Sequence, residues 1–170
     1  MGPQIERAGE PKSRRAFRLA HLAYMKADMS RPRFHLAFPV HDLEAARAFY
    51  GGVLGCPEGR SASDWVDFDL CGHQIVAHLV AERETVAAHD VDGEEVPVRH
   101  FGLILDPLAW RGMADRLRQA KVRFLIAPQT RFAGQPGEQG TLFVLDPSGN
   151  ALEFKAFADE AMIFAKDVAE

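Results

Sequence analysis

The feature that most constrains the fold is an order of strand and helix patterns that occurs twice along the chain. Residues 34–40 alternate large apolar side chains with His35 and smaller neighbours, as a half-buried strand does, and a helical apolar spacing follows over residues 42–55. The same order begins again with "RHFGLIL" at residues 99–105, so that His100 follows His35 by 65 residues. An internal duplication of this kind predicts two similar units in an α+β fold, each made of a strand, a helix and further strands.

Turn residues and apolar spacing divide the rest of the chain into elements. The expected elements are a hairpin formed by residues 65–70 and 74–80, a polar linker over 81–97, a helix over 106–122, a strand over 122–128, a Gly/Pro-rich loop over 129–140, and a hairpin over 141–157 that turns at Asp146–Gly149. The resulting organisation is an N-terminal tail over 1–32 with an Arg-rich amphipathic helix, one domain over 33–158 with modules at 33–81 and 98–158, and a C-terminal tail over 159–170 with a short helix.

Composition excludes several classes of partner. The 170 residues carry a formal charge of −4 and include 47% hydrophobic side chains, which suits a compact domain and offers no basic face to nucleic acid. No apolar run reaches the roughly 18 residues needed to cross a bilayer. The two cysteines, Cys56 and Cys71, are too few for a secreted disulfide scaffold and favour reduced thiols in the cytoplasm.

Three polar residues break the apolar pattern of the strands at related places. His35 and His100 open the first strands of the two modules, and Glu153 lies in the last strand of the second. Each shares its strand face with a small residue, and two neutral imidazoles with one carboxylate suit a divalent metal that keeps open positions for substrate. A structural alternative stays open, in which the histidines make ordinary hydrogen bonds and Glu153 pairs with Arg99, Arg131 or Lys155.

The segments "FHLAFPVHDLEAARAFYGGVLGC", "HFGLIL" and "FVLDPSGNALEF" resemble the glyoxalase/bleomycin-resistance/extradiol-dioxygenase superfamily, also called vicinal oxygen chelate proteins. The resemblance covers roughly residues 33–158. It implies two βαβββ modules whose mixed sheets curl into a cup around a metal, with His35, His100 and Glu153 as ligands. It further implies iron, manganese, zinc or nickel as the ion, a small-molecule substrate and a homodimer.

Departures from subfamily patterns narrow the activity. Extradiol dioxygenases share a Tyr ten residues before the ligand Glu, and this chain resembles them except that Phe143 stands there. They also share a His several residues before that Tyr, where this chain has Gly134–Pro136. Fosfomycin-resistance transferases have a Thr two residues after the first His, where Ala37 stands. These differences count against catechol ring cleavage and weaken a fosfomycin assignment.

A fourth ligand, which glyoxalase I takes from the last strand of its first module, has no clear equivalent here. Counting from the turn places Val76 at that position. On the same face, His78 is a candidate to reach the metal or to contact one of its ligands, and Gln74 is a candidate to bind water or the substrate. Arg131 and Glu138, in the long loop, are further candidates for substrate contacts, with ordinary surface positions as the alternative for all four.

The sequence thus favours a metal-dependent glyoxalase-like enzyme, a lyase or isomerase whose catalytic base is unassigned. The alternatives are a metal-free binding protein of the bleomycin-resistance type and a ring-cleaving dioxygenase. Because metal ligation requires neutral imidazoles, the first hypothesis predicts release of the metal below about pH 6.

Overall fold

The computed structural model describes residues 32–81, 88–91 and 94–166. The strands are β1 His35–Val40, β2 Glu58–Ser61, β3 Trp65–Leu70, β4 His73–Leu79, β5 Ala88–Val91, β6 Glu94–Pro97, β7 His100–Ile104, β8 Phe124–Arg131, β9 Gln139–Leu145 and β10 Ala151–Phe157. The helices are α1, which joins an α-helical turn at Leu43–Ala46 to a π-helix at Arg47–Leu54, then α2 Pro107–Gln119, and a 3₁₀-helix α3 at Glu160–Phe164.

Both long helices begin and end at residues suited to those positions. The carboxylate of Asp42 accepts hydrogen bonds from the backbone of Glu44 and Ala45 at the start of α1, and Asp106 caps α2 in the same way. Pro107 stands at the start of α2, where a missing N–H costs nothing. Helix α1 ends at Gly55, whose φ of 77° is the left-handed conformation that favours glycine.

Within the described part of the chain, the ten strands form two four-stranded sheets and one small hairpin. The first sheet has the order β1-β4-β3-β2 and the second the order β7-β10-β9-β8. In each sheet the first and last strands of a module pair in parallel and the other pairs are antiparallel. The predicted duplication and the α+β class with two mixed, curled sheets are therefore confirmed.

The two modules share one hydrophobic core. Large side chains of β1 and α1 (Phe38, Phe49 and Tyr50) and of α2 and β10 (Leu117 and Phe154) belong to a single buried cluster. Polar contacts join the same modules. The Tyr50 hydroxyl donates to Asp146 over 2.9 Å, the Asn150 amide donates to the Pro39 carbonyl over 2.8 Å, and Arg116 donates to the Leu54 carbonyl over 3.2 Å.

The prediction of a linker over 81–97 is wrong for its second half. Strands β5 and β6 pair there as an antiparallel hairpin. Val96 is buried against Ile126 and Phe143 of the second sheet, so one apolar residue anchors a segment whose polar, acidic composition suggests a loop.

The predicted tails and the membrane prediction have separate outcomes. Residues 1–31, including the predicted amphipathic helix, lie outside the described residues. The predicted C-terminal helix is present as α3. Among the described residues, no helix has the length and apolar character needed to span a membrane.

Candidate metal site

The second sheet has an apolar face in the core and a second face that carries polar side chains. Leu152 and Phe154 of β10 point into the core. Because side chains alternate along a strand, Glu153 and Lys155 lie on the opposite face. Thr141 and Phe143 stand directly across from them on β9. We call this surface, with His100 at its edge, the polar face.

His100 and Glu153 meet on the polar face. The imidazole Nε2 of His100 lies 3.2 Å from Oε2 of Glu153. The strands that carry them run in parallel, with Glu153 paired to Gly102 and His100 paired to Ala151. The parallel register of β7 and β10 therefore brings together two groups that are 53 positions apart in the sequence.

The other ring nitrogen of His100 is fixed by the backbone. Nδ1 lies 2.7 Å from the carbonyl oxygen of Pro97, and because a carbonyl only accepts, Nδ1 must carry the proton. The ring also packs edge-on against Phe143, with centroids 5.1 Å apart. In the neutral ring Nε2 therefore carries the lone pair, whereas in the protonated ring Nε2 donates a hydrogen bond to the Glu153 carboxylate. A metal-binding histidine characteristically has its second nitrogen engaged in this way.

Glu153 is a buried carboxylate in a cationic setting. Its residue is only 8% exposed, and its oxygens accept from the Thr141 hydroxyl over 2.7 Å and contact Lys155 Nζ over 3.3 Å. Burial acts to raise the pKa of Glu153, but the hydrogen bonds from His100 and Thr141 and the charge of Lys155 outweigh it and lower that pKa. The hydrogen bond with Glu153 raises the pKa of His100 against the effect of burial.

His35 lies on the first sheet, where a chain of side chains fixes its ring. The Asp67 carboxylate only accepts, so the Gln74 amide turns its nitrogen to Asp67 over 3.0 Å and its oxygen to His35 Nδ1 over 2.8 Å. Nδ1 of His35 must then donate, which leaves Nε2 as the lone pair. His35 is exposed, whereas Asp67 is buried. In both histidines, Nε2 is therefore the nitrogen that could bind a metal ion.

The three predicted ligands do not form one cluster within the chain. His100 and Glu153 are in contact on the second sheet, while His35 belongs to the first sheet. Over residues 32–81, 88–91 and 94–166, no three His, Cys, Asp or Glu side chains are grouped so that they could hold a metal ion. One chain thus supplies a pair of donors at one place and a single donor at another.

The remaining candidates occupy different settings. Gln74 contacts His35. His78 is exposed near the end of β4, and Val76 is buried. Arg131 ends β8 across from Gln139 on β9, and Glu138 accepts a hydrogen bond from the Gly134 backbone, which closes the loop between these strands.

Sequence reasoning missed the groups that orient the predicted ligands. Asp67 and Thr141 are buried polar residues inside apolar strands, and that signal was available for both. Lys155 was considered only as an alternative partner for Glu153. The Pro97 carbonyl carried no signal, because its role depends on how the β5–β6 hairpin packs.

Comparison with known proteins agrees with this architecture. The model of the Glyoxalase/Bleomycin resistance protein/Dioxygenase superfamily matches residues 33–154. The chain belongs to this superfamily. Within it, one similar solved structure is a glyoxalase/bleomycin resistance protein/dioxygenase from Alicyclobacillus acidocaldarius. That protein is 32% identical, with a TM-score of 0.69 over 79% of this chain and 97% of the other.

Two more distant solved structures share the fold. A glyoxalase/dioxygenase from Nostoc punctiforme is 22% identical, with a TM-score of 0.53 over 76% of this chain and 92% of its own. A genomically encoded fosfomycin resistance protein from Listeria monocytogenes is 17% identical, with a TM-score of 0.55 over 79% of this chain and 98% of its own. No curated protein matches the chain.

Proposed function

We propose that this superfamily member is a metal-dependent enzyme of the glyoxalase type, a lyase or isomerase whose small substrate chelates the ion through adjacent oxygens. His35, His100 and Glu153 are the proposed ligands of a divalent metal. The observation that carries the proposal is the 3.2 Å contact of His100 Nε2 with Glu153 Oε2 while Nδ1 is held by the Pro97 carbonyl. Once the proton on Nε2 is lost, a nitrogen lone pair and a carboxylate oxygen lie 3.2 Å apart, close enough for both to bind one cation.

The donor set fits a divalent cation. Two imidazoles and a carboxylate are ligands that zinc, iron, manganese and nickel accept in proteins. Both imidazoles have Nδ1 engaged, by Pro97 and by Gln74, so the tautomer that ligation needs is already selected. Glu153 keeps one oxygen on Thr141, which orients the other toward His100.

Because His35 lies on a different sheet, we propose that two copies of the chain complete the site. One copy contributes His100 and Glu153, and the exposed His35 comes from the second copy. A closed two-fold dimer contains two such sites, since every contact occurs twice across the symmetry axis. The homodimer is thus part of the proposal.

A bound divalent metal supplies Lewis acidity, which stabilises negative charge that develops on a chelated oxygen. The residues of the chain provide the framework for this chemistry. Thr141 and Lys155 hold the Glu153 carboxylate, Pro97 and Phe143 hold the His100 ring, and the buried Asp67 holds Gln74 and through it His35. These contacts fix the donors before the substrate arrives and so lower the reorganisation cost of reaction.

A second candidate is a metal-free binding protein of the bleomycin-resistance type. It is favoured by the fact that His100, Thr141 and Lys155 already surround Glu153 with donors, so the carboxylate is satisfied as it stands. Ring cleavage is less favoured, because this chain has Phe143 at the position where extradiol dioxygenases share a Tyr.

Metal titration separates the two candidates. Chelator-treated protein should take up one Zn²⁺ or Mn²⁺ per chain in equilibrium dialysis at pH 7.5 and should release it at pH 5, as the imidazoles gain protons. His100→Ala and Glu153→Gln should each weaken binding by tenfold or more, while His41→Ala, which alters a histidine that has no proposed role in the site, should leave it unchanged. Absence of stoichiometric uptake by the wild type would overturn the metal-dependent proposal and leave the metal-free alternative.

A further inference from the structure

Lys155 occupies a place beside the proposed ligands that their ligation does not explain. It follows Glu153 by two residues on β10, so both side chains project from the polar face, and Nζ lies 3.3 Å from Glu153 Oε2. The same carboxylate oxygen faces His100 Nε2. The ammonium group therefore shares with His100 the oxygen that points into the proposed site.

The charges at this place do not balance once a cation is bound. A divalent ion and Lys155 together bring three positive charges, whereas Glu153 brings one negative charge and the ligating histidines are neutral. Solvent compensates only in part, because the side chain of Glu153 is 10% exposed and that of Lys155 33% exposed. The remaining excess of positive charge favours an anionic substrate at this place.

We infer that Lys155 makes the site selective for anionic substrates, namely small molecules in which one chelating oxygen belongs to a carboxylate or a comparable anion. The inference rests on the proposed function and names the substrate class for that site. Lys155 is the specificity-determining residue. Its ammonium group pairs with Glu153 in the structure, and it would pair with the anionic oxygen of a substrate if Glu153 bound a metal.

Two ligands of equal size test this selectivity. Glycolate and glycolamide each offer a hydroxyl oxygen and a carbonyl-type oxygen, but only glycolate is charged. Calorimetric titration of each into the Mn²⁺-loaded protein gives a glycolate-to-glycolamide affinity ratio. Lys155→Met should lower this ratio about tenfold by weakening glycolate alone, as expected for loss of one charge-assisted hydrogen bond. Lys155→Arg should retain most of the ratio, and Lys166→Met, which removes an exposed lysine, should retain all of it.

A second measurement does not depend on the probe ligands. Because Lys155 repels a cation and competes for the carboxylate, Lys155→Met should raise the Mn²⁺ affinity several-fold in equilibrium dialysis. Lys155→Gln serves if the Met variant does not fold. An unchanged ratio in a variant that still binds Mn²⁺ would overturn the role of Lys155 and leave the proposed function standing. Failure of the wild type to bind Mn²⁺ would instead remove the proposed function.

Discussion

At the scale of single residues, the chemistry of the two histidines depends on which ring nitrogen carries the proton. The protein controls this in two different ways. A backbone carbonyl holds Nδ1 of His100, whereas an amide held by the buried Asp67 carboxylate serves Nδ1 of His35. The tautomer of His35 is the more easily changed of the two. If the Asp67 carboxylate is replaced, the side-chain amide of Gln74 can rotate and exchange the positions of its oxygen and nitrogen.

Asp67→Asn should therefore change the tautomer of His35 without touching its ring. An amide at position 67 can donate as well as accept, so the Gln74 side chain loses the constraint that keeps its oxygen toward His35. We expect a smaller Nδ1–H population, seen in ¹H–¹⁵N correlation spectra of the ring, and metal affinity about tenfold lower.

Asp69→Asn is the matched control for this variant. Asp69 lies on the same strand two residues away, and its carboxylate accepts from the backbone of Gly72 in the turn, a contact that an Asn side-chain oxygen can keep. The spectrum of the His35 ring in Asp69→Asn should equal that of the wild type. A wild-type tautomer for His35 in Asp67→Asn would show that Gln74 is held by other contacts.

The pair formed by His100 and Glu153 should make the stability of the metal-free protein depend on pH. The raised pKa of His100 adds stability that is complete below its ordinary value of 6.5 and is lost as pH rises through the folded-state pKa. The lowered pKa of Glu153 adds stability that is complete above 4.5 and is lost as pH falls through the folded-state pKa. The pair should therefore stabilise most between pH 4.5 and 6.5.

Urea unfolding with chelator present, compared between the wild type and His100→Asn, measures this contribution. The difference in the free energy of unfolding should be largest near pH 5.5 and should decrease toward pH 9 and toward pH 3. A difference that does not vary with pH would mean that the two groups are not charged partners in the folded protein.

At the scale of elements, the parallel pairing of β7 and β10 places His100 beside Glu153. Gly102 makes this pairing possible, because a Cβ added there would lie 1.7 Å from the backbone oxygen of Glu153. No side chain can be accommodated without separating the two strands. The glycine is thus needed for the close approach of one backbone to another.

Gly102→Ala should therefore destabilise the protein by several kcal/mol and weaken metal binding at the same time, because the strands must separate or shift register. Gly112→Ala is the control. A Cβ at Gly112 meets nothing within 4 Å, and alanine in a helix is favoured over glycine by about 1 kcal/mol. Thermal unfolding should show a lower Tm for the first variant and an equal or higher Tm for the second.

The elements that were predicted from sequence are those whose signal is local. Alternation predicted β1, β7 and the hairpins β3–β4 and β9–β10, and helical spacing predicted α1 and α2. The π-helical winding of Arg47–Leu54 was not predictable, since apolar residues three or four apart fit both kinds of helix. The β5–β6 hairpin was missed because Val96 finds its partners, Ile126 and Phe143, only in the folded molecule.

At the scale of the whole molecule, the shared core determines which surfaces remain for function. The modules join through the cluster around Phe38 and Phe154 and through the buried Tyr50–Asp146 hydrogen bond. His35 remains exposed on one sheet while His100 and Glu153 lie on the other. The residue types of the candidate site were predictable from the sequence, but their division between two surfaces was not, because strand periodicity does not give the packing of one module on another.

The proposed two-copy site can be tested by mixing defective variants. His35→Ala and His100→Ala should each bind metal weakly as pure proteins. In a mixed dimer, one site loses both histidines and the other keeps all three ligands. Equimolar co-refolding should thus restore about one quarter of the wild-type sites, because about half of the dimers are mixed and each has one intact site of two.

The choice of partner variant gives the control for this experiment. Glu153→Gln mixed with His35→Ala should restore binding to the same extent, because within each proposed site Glu153 and His35 come from different chains. Glu153→Gln mixed with His100→Ala should restore nothing, because both changes damage the half that a single chain contributes. If no mixture regains tight metal binding while the wild type binds one ion per chain, the ligands must come from within one chain, and the assignment of His35 to a second copy fails.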